Sequence, residues 1–322
     1  KNNYCDDKGI KFLSDAGLFY DVNKGTKSIK QQYLFKYSDI LSSLSIITKE
    51  LPIGEKSPIS YYNPFSSSNT KQFNYLKALR VKPFMLLAGI SGTGKSRIVK
   101  EMAFASCPQS LRHDEVTPGN YCMIEVKPNW HDSTELMGYE SKINGDHYVV
   151  TPFILFLLKA MHNPDIPFFV CLDEMNLAPV EQYFAEFLSV LESRKLIDGE
   201  IVSEPLIKPE IFSKKDNFDS FKNAFFRDNL SDGNLIPEEY ADLWKELGDN
   251  GLRLPPNVIV VGTVNMDETT YQFSRKVIDR AMTIEMNEVD FDSMFSDTPD
   301  TLQYQDPPLG AEYFMPKFAA AK

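Results

Sequence analysis

"PFMLLAGISGTGKSRIVK", Pro83 to Lys100, is the stretch on which the reading of this chain turns. Phe84 to Ala88 form an apolar run of strand length, and "KSRIVKEMAF" continues with helical spacing. Between them, Gly89 to Ser96 match G-x-x-x-x-G-K-[ST] in full. Chemistry explains the pattern. Small residues at Gly89, Ser91, Gly92, Thr93 and Gly94 let backbone N–H groups curl around phosphate oxygens, at the positive end of the helix that follows. Lys95 is placed to reach the β- and γ-phosphates, and the Ser96 hydroxyl to ligate Mg²⁺. A glycine-rich turn with an incidental lysine is the bland alternative. The strand before the loop and the helix after it argue against that reading.

A second stretch, "FFVCLDEMNLAPVEQYF" (168–184), carries an apolar run that ends in two adjacent carboxylates. Burying unpaired charge costs on the order of several kcal/mol, so the pair calls for water or a cation. In a fold built on such a phosphate loop, a second strand delivers an Asp beside the Mg²⁺. Asp173 takes that place, and Glu174, one step further out, can orient and deprotonate an attacking water. Acids favoured at a helix N-terminus are the alternative, and that explains one acid better than two.

A third strand candidate, "NVIVVGTVN" (257–265), ends in Asn265, within reach of a γ-phosphate or the lytic water. "TTYQFSRKVIDRA" follows, with Arg275 and Arg280 as cations that could stabilise charge developing on a neighbouring subunit's nucleotide. Arg280 is favoured because it directly precedes the apolar "AMTIEM". Strand-end asparagines and surface arginines are common, so each alone carries little weight.

The remainder of the chain sets the frame. Its 322 residues are 43% hydrophobic and 25% charged, an ordinary globular balance. Residues 1–80 hold 12 Lys+Arg against 7 Asp+Glu, whereas the rest holds 22 against 38. An acidic body argues against coating nucleic acid with the whole surface. The four cysteines form no CxxC pair, which points to reduced thiols and a cytoplasmic location rather than zinc or disulfides. The apolar run "FILFLL" (153–158) is far short of a membrane span.

Helical spacing over 28–51 and the Pro/Ser-rich run after it predict that residues 1–70 are an N-terminal helical segment and linker. Residues 71–286 read as the nucleotide-binding core, with a polar insert at 207–254, and 287–322 as the start of a lid or tail. The Asn144-Gly145 pair within 143–153 signals a hairpin. Asp114, Glu125 and Lys127 mimic a nuclease D…ExK pattern, but on a core strand of the sheet. Trp130 and the region of Tyr139 read as packing elements rather than base-stacking platforms.

Together, the strand leading into "GISGTGKS", then "FFVCLDEMNLA", "GTVNMDE" and "SRKVIDRA", occur in the order of an AAA+ ATPase core and most resemble its McrB-like and dynein-related branch. "VKPNWHDSTELMGY" (126–139) and "YVVTPFILFLLKA" sharpen the likeness, which spans about 75–286. The resemblance implies an α/β P-loop NTPase of the AAA+ type. Its expected form is a three-layer sandwich with a parallel sheet, a helix-2 hairpin insert, a mostly helical N-terminal segment and an incomplete C-terminal lid.

By the same resemblance, Lys95 and Ser96 serve phosphate and Mg²⁺, Asp173 the metal, Glu174 as base, Asn265 as sensor and Arg280 as a finger acting in trans. Mg²⁺ and ATP are the implied cofactor and substrate, with GTP the alternative, since McrB proper is a GTPase. Its Met-Asn-Thr-Ala-Asp signature corresponds here to Val264-Asn265-Met266-Asp267-Glu268, with the Asp displaced by one position. Implied partners are further copies in a ring, commonly a hexamer, together with an McrC-like nuclease subunit. DNA would be reached through the pore or that partner, and no membrane is implied. An ATP-driven protein-remodelling chaperone of the MoxR type is the competing reading. A non-hydrolysing nucleotide-gated scaffold is disfavoured by the Asp173–Glu174 pair.

Overall fold

The computed structural model describes residues 19–22, 26–29, 70–143, 147–197, 199–226, 236–266, 271–286 and 302–315. The chain divides into two compact units, one of residues 1–64 with 319–322 and one of residues 65–318. In the first, β1 (Phe19–Val22) pairs antiparallel with β2 (Thr26–Ile29), in the register Phe19↔Ile29 to Val22↔Thr26. Ser28 and Ile29, read as the start of a helix, therefore belong to a strand. Both are β-compatible residues, and pairing with a partner strand outweighs a helical spacing that only begins there. The rest of the 28–51 prediction lies outside the described residues.

The second unit opens with α1 (Thr70–Leu79), β3 (Phe84–Gly89) and α2 (Lys95–Ser106). β4 (Tyr121–Glu125), the short α3 (Thr134–Met137), β5 (Tyr139–Ser141), β6 (His147–Val149) and α4 (Pro152–His162) follow. Then come β7 (Phe168–Asp173), α5 (Val180–Tyr183) and α6 (Ala185–Ser193). Next are β8 (Lys195–Ile197), β9 (Glu200–Val202), β10 (Pro205–Ile207), α7 (Pro209–Phe212) and α8 (Lys215–Phe226). The unit continues with α9 (Ala241–Asn250), β11 (Leu252–Arg253), β12 (Val258–Asn265), α10 (Arg275–Ile278) and β13 (Met282–Glu285).

Five strands form one parallel sheet in the order β13-β3-β12-β7-β4. Its inner strands are continuous apolar runs because both faces are covered, and alternate residues feed two separate cores. Phe84, Leu86, Phe168, Val170, Leu172, Val258 and Val260 pack with α4, α5 and α6 on one face. Met85, Leu87, Phe169, Cys171, Ile259 and Val261 pack with α1 and α2 on the other. The result is helices, sheet, helices. After β3 the chain crosses to edge strand β4 and returns through β7 to β12 beside β3. It then passes to the far side of β3 for β13. Such a reversal opens a crevice beyond the carboxyl ends of the strands, where ligands of α/β sheets sit.

The 207–254 excursion is closed at its base by β10 pairing with β11, Ile207 opposite Leu252. Its Phe218, Phe225 and Phe226 gather around Trp244 and Tyr240, so the polar segment has an aromatic core of its own. β5 and β6 form the expected hairpin, Tyr139↔Val149 to Ser141↔His147, and its turn, Asn144-Gly145, lies outside the described residues. Glu140 on β5 accepts from Lys214 and Asn217, each at 2.6 Å, and Tyr148 stacks on Phe221 at 4.7 Å. Hairpin and insert are thereby pinned together.

Trp130 is buried edge-on to Tyr183, as packing requires, whereas Tyr139 is half exposed. Asp114 spends its carboxylate on Val116 N–H and the Thr117 hydroxyl, closing a turn. In the tail, Gln305 and Leu309 donate to carbonyls of Phe104 and Ala105, and Phe314 packs on Phe169. These contacts place the described part of the tail at the end of α2 opposite the phosphate loop. Among the described residues, no helix is long and apolar enough to cross a membrane.

Candidate nucleotide site at the strand ends

The parallel register brings the sequence-predicted residues to one edge. Asn265 is opposite Gly89, and Gly262 is opposite Leu172, which puts Thr263 level with Asp173. Gly92 and Gly94 have φ of 79° and 76°, left-handed conformations that a Cβ disfavours. Gly89 is small for another reason, because a Cβ there would run into the carbonyl of Met286 on the neighbouring strand's exit. Thr93 Oγ1 donates to the Ile90 carbonyl at 3.0 Å and closes the loop on itself. Ser91 stands exposed on its crest. Lys95, only 7% exposed, donates to the carbonyls of Gly89 at 3.1 Å and Ile90 at 2.7 Å. Among the described residues, no side chain caps the N-terminus of α2, so its first N–H groups are left at the positive end of the helix, next to the loop.

Ser96 Oγ donates to Asp173 Oδ1 at 2.5 Å, linking the loop to the carboxylate strand. The same carboxylate oxygen accepts from Thr263 Oγ1 at 2.7 Å. Glu174 then turns the chain out of β7 with φ 53° and ψ 47°, the one left-handed non-glycine among the described residues. Such backbone costs about 1–3 kcal/mol and persists where its surroundings hold it. Here the Glu174 N–H donates to Thr263 Oγ1 at 2.9 Å, and Glu174 Oε1 accepts from Asn265 Nδ2 at 3.1 Å. Met175 is buried immediately after, in space left by Gly262, where a Cβ would overlap its sulfur. The Asn265 carbonyl accepts from Asn176 Nδ2 at 3.2 Å, and the Asn176 carbonyl from Tyr271 N–H at 3.0 Å.

Two residues before Asp173, burial and then Asp173's own charge push the Cys171 thiol up to about 12, so it stays neutral. Glu125, paired with Asp173 in register, is exposed at the edge of the sheet.

Arg280 is placed differently. Its guanidinium pairs with Glu192 at the end of α6 and donates to the Lys276 carbonyl, and the arginine holds the Glu192 carboxyl below its usual range. Arg275 is exposed at the start of α10. Asp267 and Glu268 lie outside the described residues.

Thr263 and Asn176 are the two site residues that sequence reading passes over. A lone hydroxyl inside "VIVVGTVN" was the available signal for Thr263, because a polar group in an apolar, doubly covered strand needs a partner.

The sheet order, the glycine loop after β3 and the carboxylates at the end of β7 are consistent with a P-loop NTPase-like fold. No protein-family model matches the chain. The chain is distantly similar to the EcoKMcrB subunit of the type IV methyl-directed restriction enzyme of Escherichia coli (strain K12), 25% identical over 168 residues. The match covers 52% of this chain and 34% of that protein, so the chain spans about a third of the relative's length.

Proposed function

We propose that this chain is a Mg²⁺-dependent nucleoside triphosphatase, with ATP favoured over GTP, that works as the McrB-like motor of a restriction or defence complex. One observation carries the enzymatic part: the 2.5 Å hydrogen bond from Ser96 to Asp173, two residues 77 apart in sequence. It joins a phosphate-binding loop to an acid on a separate strand, where a metal-bound phosphate chain needs both.

The donor set suits Mg²⁺. A hydroxyl and one carboxylate, both hard oxygen donors, are what a Mg²⁺ shared with substrate phosphates requires, rather than an all-protein cage. When bound, the ion would offset charge developing on the phosphates. Ser96 and Asp173 would hold it. Lys95 leaves the loop carbonyls for the phosphates, and the backbone N–H groups of the loop and α2 cradle them. Glu174 takes the proton of the attacking water, and Asn265, already bonded to Glu174, orients that water against the γ-phosphate.

The role in restriction rests on the distant likeness to a restriction-enzyme subunit. In this reading the copies form a ring, Arg280 acts across the interface, and a separate nuclease subunit does the cutting. DNA contact runs through a pore or that partner, in keeping with an acidic body. Hydrolysis of MgATP and MgGTP by the purified chain tests the enzymatic reading. Turnover is expected to stop with EDTA and to fall to background in Lys95→Ala, together with nucleotide binding. A Lys95→Ala variant that hydrolyses like the parent would sink it.

A further inference from the structure

We propose that Thr263 is the positioning residue of this site, its one hydroxyl fixing the metal acid and the base relative to each other; the proposal rests on the triphosphatase reading above. A threonine hydroxyl has one proton to give and lone pairs to accept with. Here the proton goes to Asp173 Oδ1 at 2.7 Å, and a lone pair takes the Glu174 N–H at 2.9 Å. Two adjacent residues with different duties are thus tied to one atom.

The Thr263 anchor is the more deeply buried one. Asp173 Oδ1 also accepts from Ser96, but Ser96 is only part-buried, in the first turn of α2 directly after the loop that phosphates must enter. Thr263 lies on β12, between β3 and β7, and is 2% exposed. Its bond to Asp173 is charge-assisted, and so stronger than one between neutral groups. Its bond to Glu174 helps to hold a backbone conformation that is costly for a glutamate. From that conformation the Glu174 carboxylate reaches Asn265. Without the hydroxyl, Asp173 Oδ1 keeps Ser96 as its donor, and the turn that aims Glu174 loses its tether.

The test uses Thr263→Val, which keeps the shape, Thr263→Ser, which keeps the hydroxyl, and Thr263→Ala as a second hydroxyl-free variant should Val not fold. Titration with nucleotide alone is expected to leave affinity within about twofold of the parent in every variant. The tightening caused by added Mg²⁺ is expected to be lost in Val or Ala and kept in Ser. Turnover should fall about 10²-fold in Val or Ala, the scale of a misplacement of roughly 1 Å, with Ser restoring most of it. Hydrogen exchange on the nucleotide-free chain gives a readout independent of activity. Protection of the Glu174 amide should drop at least tenfold in Val or Ala and remain in Ser.

Parent-like Mg²⁺ response, turnover and exchange in Thr263→Val would overturn the proposal, as would a Thr263→Ser variant as impaired as Val. Lys95→Ala in the same series keeps the two ideas apart. If it matches the parent, the triphosphatase reading fails, and the exchange experiment still decides whether Thr263 holds the turn.

Discussion

The strand ends and the edge formed by α6 and α10 differ in how their charged and hydroxyl side chains are partnered. At the strand ends, Ser96, Asp173, Glu174, Thr263 and Asn265 bond to one another within a single chain. At the other edge, the buried Ser274 Oγ and Arg280 Nε have no hydrogen-bond partner among the described residues. The same holds for the three guanidinium nitrogens of Arg194, just past Glu192. Burial alone pulls Arg194 down to about 10, which leaves it charged at neutral pH. Folded chains pair nearly all buried polar atoms, so unpaired ones mark a cost tolerated for a reason. The contrast teaches that the groups of the proposed phosphate and metal site partner one another within one chain, whereas the buried cations of the arginine edge lack such partners among the described residues.

The largest expected effect that would break this contrast is at Arg280. Arg280→Ala should bind nucleotide like the parent but hydrolyse it about 10³-fold or more slowly, as loss of a trans finger does. Mixing it with Lys95→Ala should restore part of the rate, because some interfaces then pair an intact Lys95 with a neighbour's Arg280. Specific activity that stays constant down to dilute monomer would remove the finger from Arg280, and the incomplete edge would need another explanation. Glu192, the present partner of Arg280, is largely exposed and should tolerate the loss.

A smaller effect sharpens the same comparison at Arg194. Replacing a buried, unpaired cation with an apolar side chain of similar length removes a desolvation cost, so Arg194→Met should stabilise the isolated chain by about 1–3 kcal/mol. Denaturant unfolding of the dilute chain reads this directly. Destabilisation would mean that Arg194 is satisfied within its own chain and that the edge is no less complete than the strand ends.

How much was legible in the sequence follows from the same physics. Inner strands buried on both faces must be apolar throughout, so 84–89, 168–173 and nearly all of 257–265 could be outlined from composition. The phosphate loop is local, and its glycines announce left-handed backbone. The break at Phe184 between α5 and α6 is set by packing and has no local signature. Thr263 escaped notice because its importance depends on register: only when β12 lies beside β7 does its hydroxyl come level with Asp173. Arg280's engagement with Glu192 is likewise a long-range pairing, 88 positions apart, that spacing cannot reveal.

The most direct test of the central claim separates binding from turnover at Glu174. In Glu174→Gln the loop, Lys95, Ser96 and Asp173 are untouched, so equilibrium binding of MgATP should stay within a few-fold of the parent. Loss of the general base should slow single-turnover hydrolysis about 10²–10⁴-fold. Parent-like hydrolysis, or binding lost in step with turnover, would contradict the assignment of Glu174 as the base and with it the account of the strand ends as a hydrolytic site.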